Sequence, residues 1–399
     1  MAKSRRSRRP RRPSCTSRDP RPVLTDTDRA ALVAVADAEA RGDIEEAAAL
    51  ASSVLLLAGS LHADRLRQLA WLGDEAPGWM WSRWMTLQVR RPVWSDAPER
   101  SLGTPEFGRT IEVAYPDGVP VDRMNGWPPE IFVPTMFERD WVLRQLTVYD
   151  SGALADFVAH RAGERLLRRA DAPAEWAVAP MGGYRLDARW NGTLRVMDLA
   201  TGERHDVLDL GAAYGQPLGQ HVLGRLVPTS TGPGTMFEWR PLPVDVRTAQ
   251  RVADAPDAWT DVVGEHAREG LLPDMFSLMD DDTEFLADLP LHTWLAGVDS
   301  ADIEGLPQSE DGEIAWTDVA AVALERVLCA SPRVVTMLTD IRPALWALVL
   351  RPDLEPHIRT HLSGPAFDPG WRALASLLPE PARTVCLRYA EPFPTQWAG

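Results

Sequence analysis

The feature that most restricts the fold is a change of period inside the chain. Between about 176 and 245 the side chains alternate apolar and polar, whereas on both sides of that window apolar residues recur at helical spacing. Tyr184–Arg189 alternates, Asn191 and Gly192 supply a tight turn, and Thr193–Leu199 alternates again, which predicts a hairpin. Thr201, Gly202 and Glu203 make a second turn into His205–Leu210, and further short extended pieces fit Val222–Val227 and Met236–Trp239. Four or five short strands within ~70 residues read as a small antiparallel barrel or curled meander. The fold class expected is α+β and mainly helical, with N-terminal and C-terminal helical regions flanking the small β module.

The units follow from this pattern. Residues 1–22 carry Lys3 and eight arginines against Asp19 and have almost nothing to bury, so they are expected to be a disordered basic arm. Residues 23–172 read as a helical domain with a loop-rich, Pro- and Gly-bearing insert at about 92–136, residues 173–245 as the β module, and residues 246–399 as a helical C-terminal region. Within the last, 274–318 holds 13 acids and no lysine or arginine. Helices are expected at 61–73, 77–91, 137–149, 152–169, 246–269, 315–329, 332–350 and 369–378. Ahead of these, Ala31, Leu32, Val35 and Ala38 form one apolar stripe, and Ile44, Ala47, Ala48, Ala51, Val54 and Leu55 form a second after the Gly42–Asp43 break. The segment Ala38–Ala47 resembles the helix hairpins of tetratricopeptide-type arrays over that one hairpin, without a repeating period along the chain.

Composition excludes several chemistries. Of 42 basic residues only Lys3 is a lysine. A phosphate-loop NTPase, a protein kinase, a pyridoxal enzyme and a Schiff-base aldolase each need a placed amine, and none exists past residue 3. The spacing of Gly211, Gly215, Gly219 and Gly224 does not match the G-x-G-x-x-G of a dinucleotide loop. Three scattered cysteines, Cys15, Cys329 and Cys386, give neither a disulfide framework nor a zinc site. No segment has the apolar length of a membrane span, and the arginines near the start precede Leu24–Arg29 rather than an apolar export segment, so the chain reads as cytoplasmic.

Three constellations carry chemistry. On the helix around 77–91, Met80, Trp81, Trp84, Met85 and Leu87 make a core face, while Trp79 falls among Ser82, Arg83, Thr86 and Arg90 on the polar arc. Trp79, Arg83 and Arg90 therefore form a candidate partner-binding surface, the alternative being that Trp79 packs beneath the following loops. His357 and His361 lie one helical turn apart, as a metal pair would, but the intervening residues lack the glutamate of H-E-x-x-H and no third ligand follows from the spacing, so the pair reads first as a solvated helix face. Asp280, Asp281, Asp282 and Glu284 lack the register of a calcium loop and read as a solvated acidic surface, suited to an arginine-rich partner. No cofactor is implied.

The functional reading is a non-enzymatic interaction or regulatory protein with a protein partner and no membrane association. Two alternatives stay open: a lysine-independent, metal-assisted hydrolase, and association with nucleic acid through the phosphate-binding capacity of residues 1–22.

Overall fold

A computed structural model describes residues 26–54, 57, 61–89, 104–118, 136, 140–190, 192–213, 216–273, 283–284, 289–290, 316–335 and 342–391. The expected basic arm, most of the acidic stretch and Arg90 lie outside these residues.

The chain opens with α1 (Asp26–Arg41), α2 (Ile44–Ser53), α3 (Leu61–Leu72) and α4 (Gly78–Gln88). Gly42 turns the first pair at φ 80°, and a Cβ there would sit 2.7 Å from the backbone nitrogen of Leu166, so only glycine fits both the angle and the approach. Inside the expected loop-rich insert the structure places a helix, α5 (Pro105–Ala114). Thr104 caps it by accepting from the Phe107 N–H at 3.3 Å, with Pro105 in its first turn. The insert is not all loop, because this Thr-Pro start and the Phe107, Val113 and Ala114 stripe outweigh the glycines and prolines around it. α6 (Trp141–Gln145) is capped by Asp140 and runs on as one π-helical turn, Leu146–Asp150. Three short helices follow: α7 (Ala153–His160), α8 (Glu164–Arg169) and α9 (Pro173–Ala177). The expected single helix 152–169 breaks at Gly163, whose N–H donates to the Ala40 carbonyl at 2.7 Å and leaves no room for a side chain beside Arg41.

The period-two window forms seven strands: β1 (Gly182–Trp190), β2 (Thr193–Asp198), β3 (Arg204–Leu208), β4 (His221–Gly224), β5 (Leu226–Pro228), β6 (Thr235–Phe237) and β7 (Leu242–Val244). The first hairpin turns at Gly192, φ 81°. The α+β class holds, but the sheet is not a small antiparallel barrel. It is a curled, mixed sheet in the order β5-β6-β3-β2-β1-β4-β7, a half-barrel flanked by helices. β4 crosses to the far side of β1 instead of continuing the meander, and β6 returns beside β3 in a parallel pairing at Leu208 and Met236. Local alternation carries strand identity but not the partners of strands separated by long connections, so this part was not readable from period alone.

Two helices come next, α10 (Val246–Asp254), capped by Asp245, and α11 (Trp259–Arg268). The expected single helix 246–269 is interrupted at Ala255 and Pro256, as the missing proline N–H requires. A two-residue ladder, β8 (Thr283–Glu284) with β9 (Leu289–Pro290), lies within the acidic stretch. The chain then adds α12 (Trp316–Cys329), α13 (Pro332–Val335), α14 (Arg342–Val349), α15 (Glu355–His361), α16 (Asp368–Leu377) and α17 (Ala382–Ala390).

Apolar burial separates into two cores. The first gathers α1–α4 and α12–α17 on the sheet face bearing Tyr184, Leu186, Leu194, Val196 and Val207. The second lies at the β4–β7 end and joins α5, α6, α10 and α11 through Trp141, Leu143, Leu223, Leu242, Val252 and Trp259. Residues 246–399 therefore divide their described helices between the two cores. α10 packs so closely on β1 that a Cβ on Gly183 would fall 2.0 Å from the Ala249 carbonyl oxygen.

Candidate binding face

The surface expected around Trp79 is not a surface. Trp79, Ser82, Arg83 and Thr86 are all buried, and α4 has no solvent side along its length. The Trp79 ring lies 5.9 Å from that of Trp346 on α14, and the Arg83 guanidinium stacks over Trp79 at 5.2 Å. Arg83 donates to the Phe237 carbonyl at 3.2 Å, and Thr86 accepts from Arg144 at 2.9 Å. The amphipathic reading assumed one wet face. Here Ser82, Arg83 and Thr86 instead reach buried partners, which a helical wheel cannot show. Arg90 lies outside the described residues.

What the arginines of α4 and α6 build is a buried polar seam between the cores. The Glu238 carboxylate accepts from Arg144 at 3.0 and 3.3 Å, from Gln145 at 2.5 Å and from the Tyr149 hydroxyl at 3.2 Å. Arg225, the single residue between β4 and β5, donates to Gln145 at 2.8 Å, to the Ala179 carbonyl at 2.5 Å and to Asp150 at 2.6 Å. Asp150 also accepts the Trp259 indole N–H at 2.7 Å, which brings in the second core. Burial alone would push the Glu238 carboxyl up, but the Arg144 charge and the hydrogen bonds from Arg144 and Gln145 hold it below the usual range. Burial pushes the Tyr149 phenol well up, with the Glu238 charge acting in the same direction. Nearby, burial raises the Asp140 carboxyl against the hydrogen bonds that it accepts from the Leu143 N–H and the Tyr115 hydroxyl. Arg144, Gln145, Tyr149, Arg225 and Glu238 are buried and hydrogen-bonded to one another, with Asp150 at the solvent edge, so the seam's chemistry is structural: it fixes α4, α6, the π turn and the sheet against one another.

The accessible constellation lies on the opposite face of the sheet. Alternation along β1–β3 turns Arg185, Asp187, Arg195, Arg204 and Asp206 outward while Leu186, Leu194, Val196 and Val207 point into the first core. Asp187 is shared, accepting from Arg185 at 2.7 Å and from Arg204 at 3.0 Å. Asp206 takes Arg195 in a two-point pair at 2.7 and 3.0 Å. Three guanidiniums therefore meet two carboxylates. The hydrogen bonds from Arg185 hold the Asp187 carboxyl below its ordinary value, and those from Arg195 do the same for Asp206. The Arg195 guanidinium also covers the ring of Trp190 at 4.7 Å, and Trp190 is 38% exposed. Arg195, Arg204, His205, Asp206, Pro233 and Thr235 line an open groove of about 400 Å³.

None of these residues was singled out from the sequence. The signal was available: alternating arginines and aspartates on the polar positions of β1–β3 mark a charged sheet face. The second expected constellation, His357 and His361, does lie on one side of α15, with ring centroids 4.8 Å apart. Glu355 of that helix is engaged by Trp71 at 2.7 Å and by Arg359. Among the described residues no group of three histidine, cysteine or carboxylate side chains is placed to hold a metal ion. Asp280, Asp281 and Asp282 lie outside the described residues. Among the described residues, no helix is long and apolar enough to cross a membrane.

No protein-family pattern matches the chain, and neither a curated protein nor a solved structure is significantly similar to it.

Proposed function

We propose that this chain is a non-enzymatic interaction protein whose binding surface is the outer face of β1–β3, and that the partner presents anionic groups. The observation that carries this reading is the excess of guanidinium over carboxylate, Arg185, Arg195 and Arg204 against Asp187 and Asp206, along an open groove. The chain as a whole carries −15, so a solvent-facing cluster with surplus positive charge runs against its own background. Guanidinium recognises carboxylate and phosphate through paired N–H groups, and each arginine here is already oriented by an aspartate. The exposed edge of Trp190 adds apolar area beside the charge, the combination that binding faces favour.

The test is titration of the full chain with fluorescently labelled poly-glutamate at rising salt. Binding is expected to weaken as salt rises and to be lost in the double variant Arg195→Glu/Arg204→Glu, with folding checked by circular dichroism. Equal binding by wild type and double variant would move the anion site off the sheet. If binding instead vanishes when residues 1–22 are removed, the basic arm is the site.

A further inference from the structure

The groove on the sheet face has an origin in the strand pairing, and that origin specifies how a partner would enter. β3 is paired with β2 along its whole length, from Arg204 with Met197 to Leu208 with Thr193. On its other side β6 meets it at Leu208 alone among the described residues. The reason is the β5–β6 turn. Thr229 closes it by donating its N–H to the Gly234 carbonyl at 3.0 Å, so β6 begins only at Thr235 and, among the described residues, no strand pairs with the first residues of β3 on that side. The groove is this gap, with Arg204, His205 and Asp206 on one bank and Pro233 and Thr235 on the other.

The ladder fixes which backbone groups face the gap. The Asp198 N–H donates to the Glu203 carbonyl at 2.9 Å, and the Asp209 N–H to the Gly192 carbonyl at 2.8 Å. Both ends set the same alternation, so Val196–His205 and Leu194–Val207 are the hydrogen-bonded pairs. The backbone groups of His205 therefore turn to β2, whereas those of Arg204 and Asp206 turn toward the gap. The Asp206 carbonyl confirms the direction by accepting the Thr235 hydroxyl at 2.9 Å.

We infer that the partner is an extended acidic peptide segment that adds to the edge of β3 at Arg204 and Asp206. Its backbone pairs with the outward groups of Arg204 and with the Asp206 N–H, the Asp206 carbonyl keeping the Thr235 hydroxyl, and its alternate side chains meet Arg204 and Arg195. This rests on the outer sheet face being the binding surface and adds the mode and the partner's chemistry. An alternating peptide places its acidic residues on the charged face only when it lies as a strand, so backbone pairing and charge pairing reinforce one another. A nucleic acid would use the same charge but has no backbone to continue the ladder.

The probe is a labelled peptide of about six residues, the usual length of a strand, with glutamate at alternate positions and threonine between. Fluorescence anisotropy is measured on the full chain. Binding is expected, with a loss of about tenfold for Arg204→Glu or Arg195→Glu, and a comparable loss when glutamine replaces glutamate in the peptide. A peptide methylated on alternate backbone nitrogens is expected not to bind. If the methylated peptide binds as well as the parent and Arg204→Glu weakens both, strand addition is wrong while the anion-binding face stands. If an oligothymidylate binds the face and the peptide does not, the partner class is wrong. If neither probe binds, or Arg204→Glu changes nothing, both the inference and the binding face fall together.

Discussion

The seam around Glu238 and the outer face around Asp187 are made of the same materials, arginine and carboxylate, and differ only in water. In the seam, Arg144 and Glu238 are 1% and 2% exposed, and the Glu238 carboxylate accepts from Arg144, Gln145 and Tyr149. On the outer face, Arg195 and Asp206 are 41% and 39% exposed, and Arg204 is 60% exposed. Two buried charges cost several kcal/mol to desolvate and are recovered only by near-complete hydrogen bonding, so such a pair cannot be opened without losing the fold. The outer pairs are screened by solvent, and in the binding proposed above a carboxylate on the partner takes the place of Asp206. In a chain whose Lys and Arg residues are all arginine with one exception, residue type does not separate scaffold from the proposed binding surface. Burial does.

The largest expected effect is therefore in the seam. Glu238→Ala leaves Arg144 buried without its carboxylate and is expected to cost about 3–5 kcal/mol in urea unfolding, enough to remove much of the stability of the chain. A loss below about 1 kcal/mol would show that water reaches the seam and would erase the contrast.

Acid sharpens the same point. The Glu238 carboxyl is held below its ordinary value in the fold. Its contribution is thus fully present above the unfolded carboxylate range and is lost as pH falls through the lower folded value. Urea midpoints measured from neutral to acid pH are expected to fall in the wild type, and Glu238→Gln is expected to flatten that limb. An unchanged limb in Glu238→Gln would assign the acid sensitivity elsewhere. Asp140, raised by burial, works in the opposite sense, its contribution being lost as pH rises through its folded value.

Tyr149→Phe removes one of the donors to Glu238 and keeps the ring, over which the Arg225 guanidinium lies at 4.6 Å. The expected loss is about 1 kcal/mol. Arg195→Ala is expected to have the smallest effect on stability, and that effect is expected to shrink further in high salt. A larger, salt-insensitive cost there would make the outer face part of the scaffold.

The sequence carried the order of helical and extended segments because each depends on residues close in the chain. The hairpin at Gly192, the start of α10 at Val246 and the span of α12 all lie where the change of period puts them. What it did not carry depends on partners far along the chain. Trp79 read as exposed because its neighbours on the helix are polar. It is buried because Trp346, more than two hundred residues later, covers it, and because Arg83 and Thr86 find partners at Phe237 and Arg144. The parallel β3–β6 pairing and the gap that it leaves have the same long-range origin.

The most direct test sets the two networks against each other in one pair of variants. Urea unfolding and binding of the alternating glutamate peptide are measured on Arg204→Glu and on Tyr149→Phe beside the wild type. The expected result is a double dissociation: Arg204→Glu keeps its stability within about 1 kcal/mol and loses binding about tenfold, while Tyr149→Phe loses about 1 kcal/mol and binds as the wild type does. If Arg204→Glu binds like the wild type, or if both variants lose binding in step with stability, the division between a locked seam and an exchangeable face is wrong.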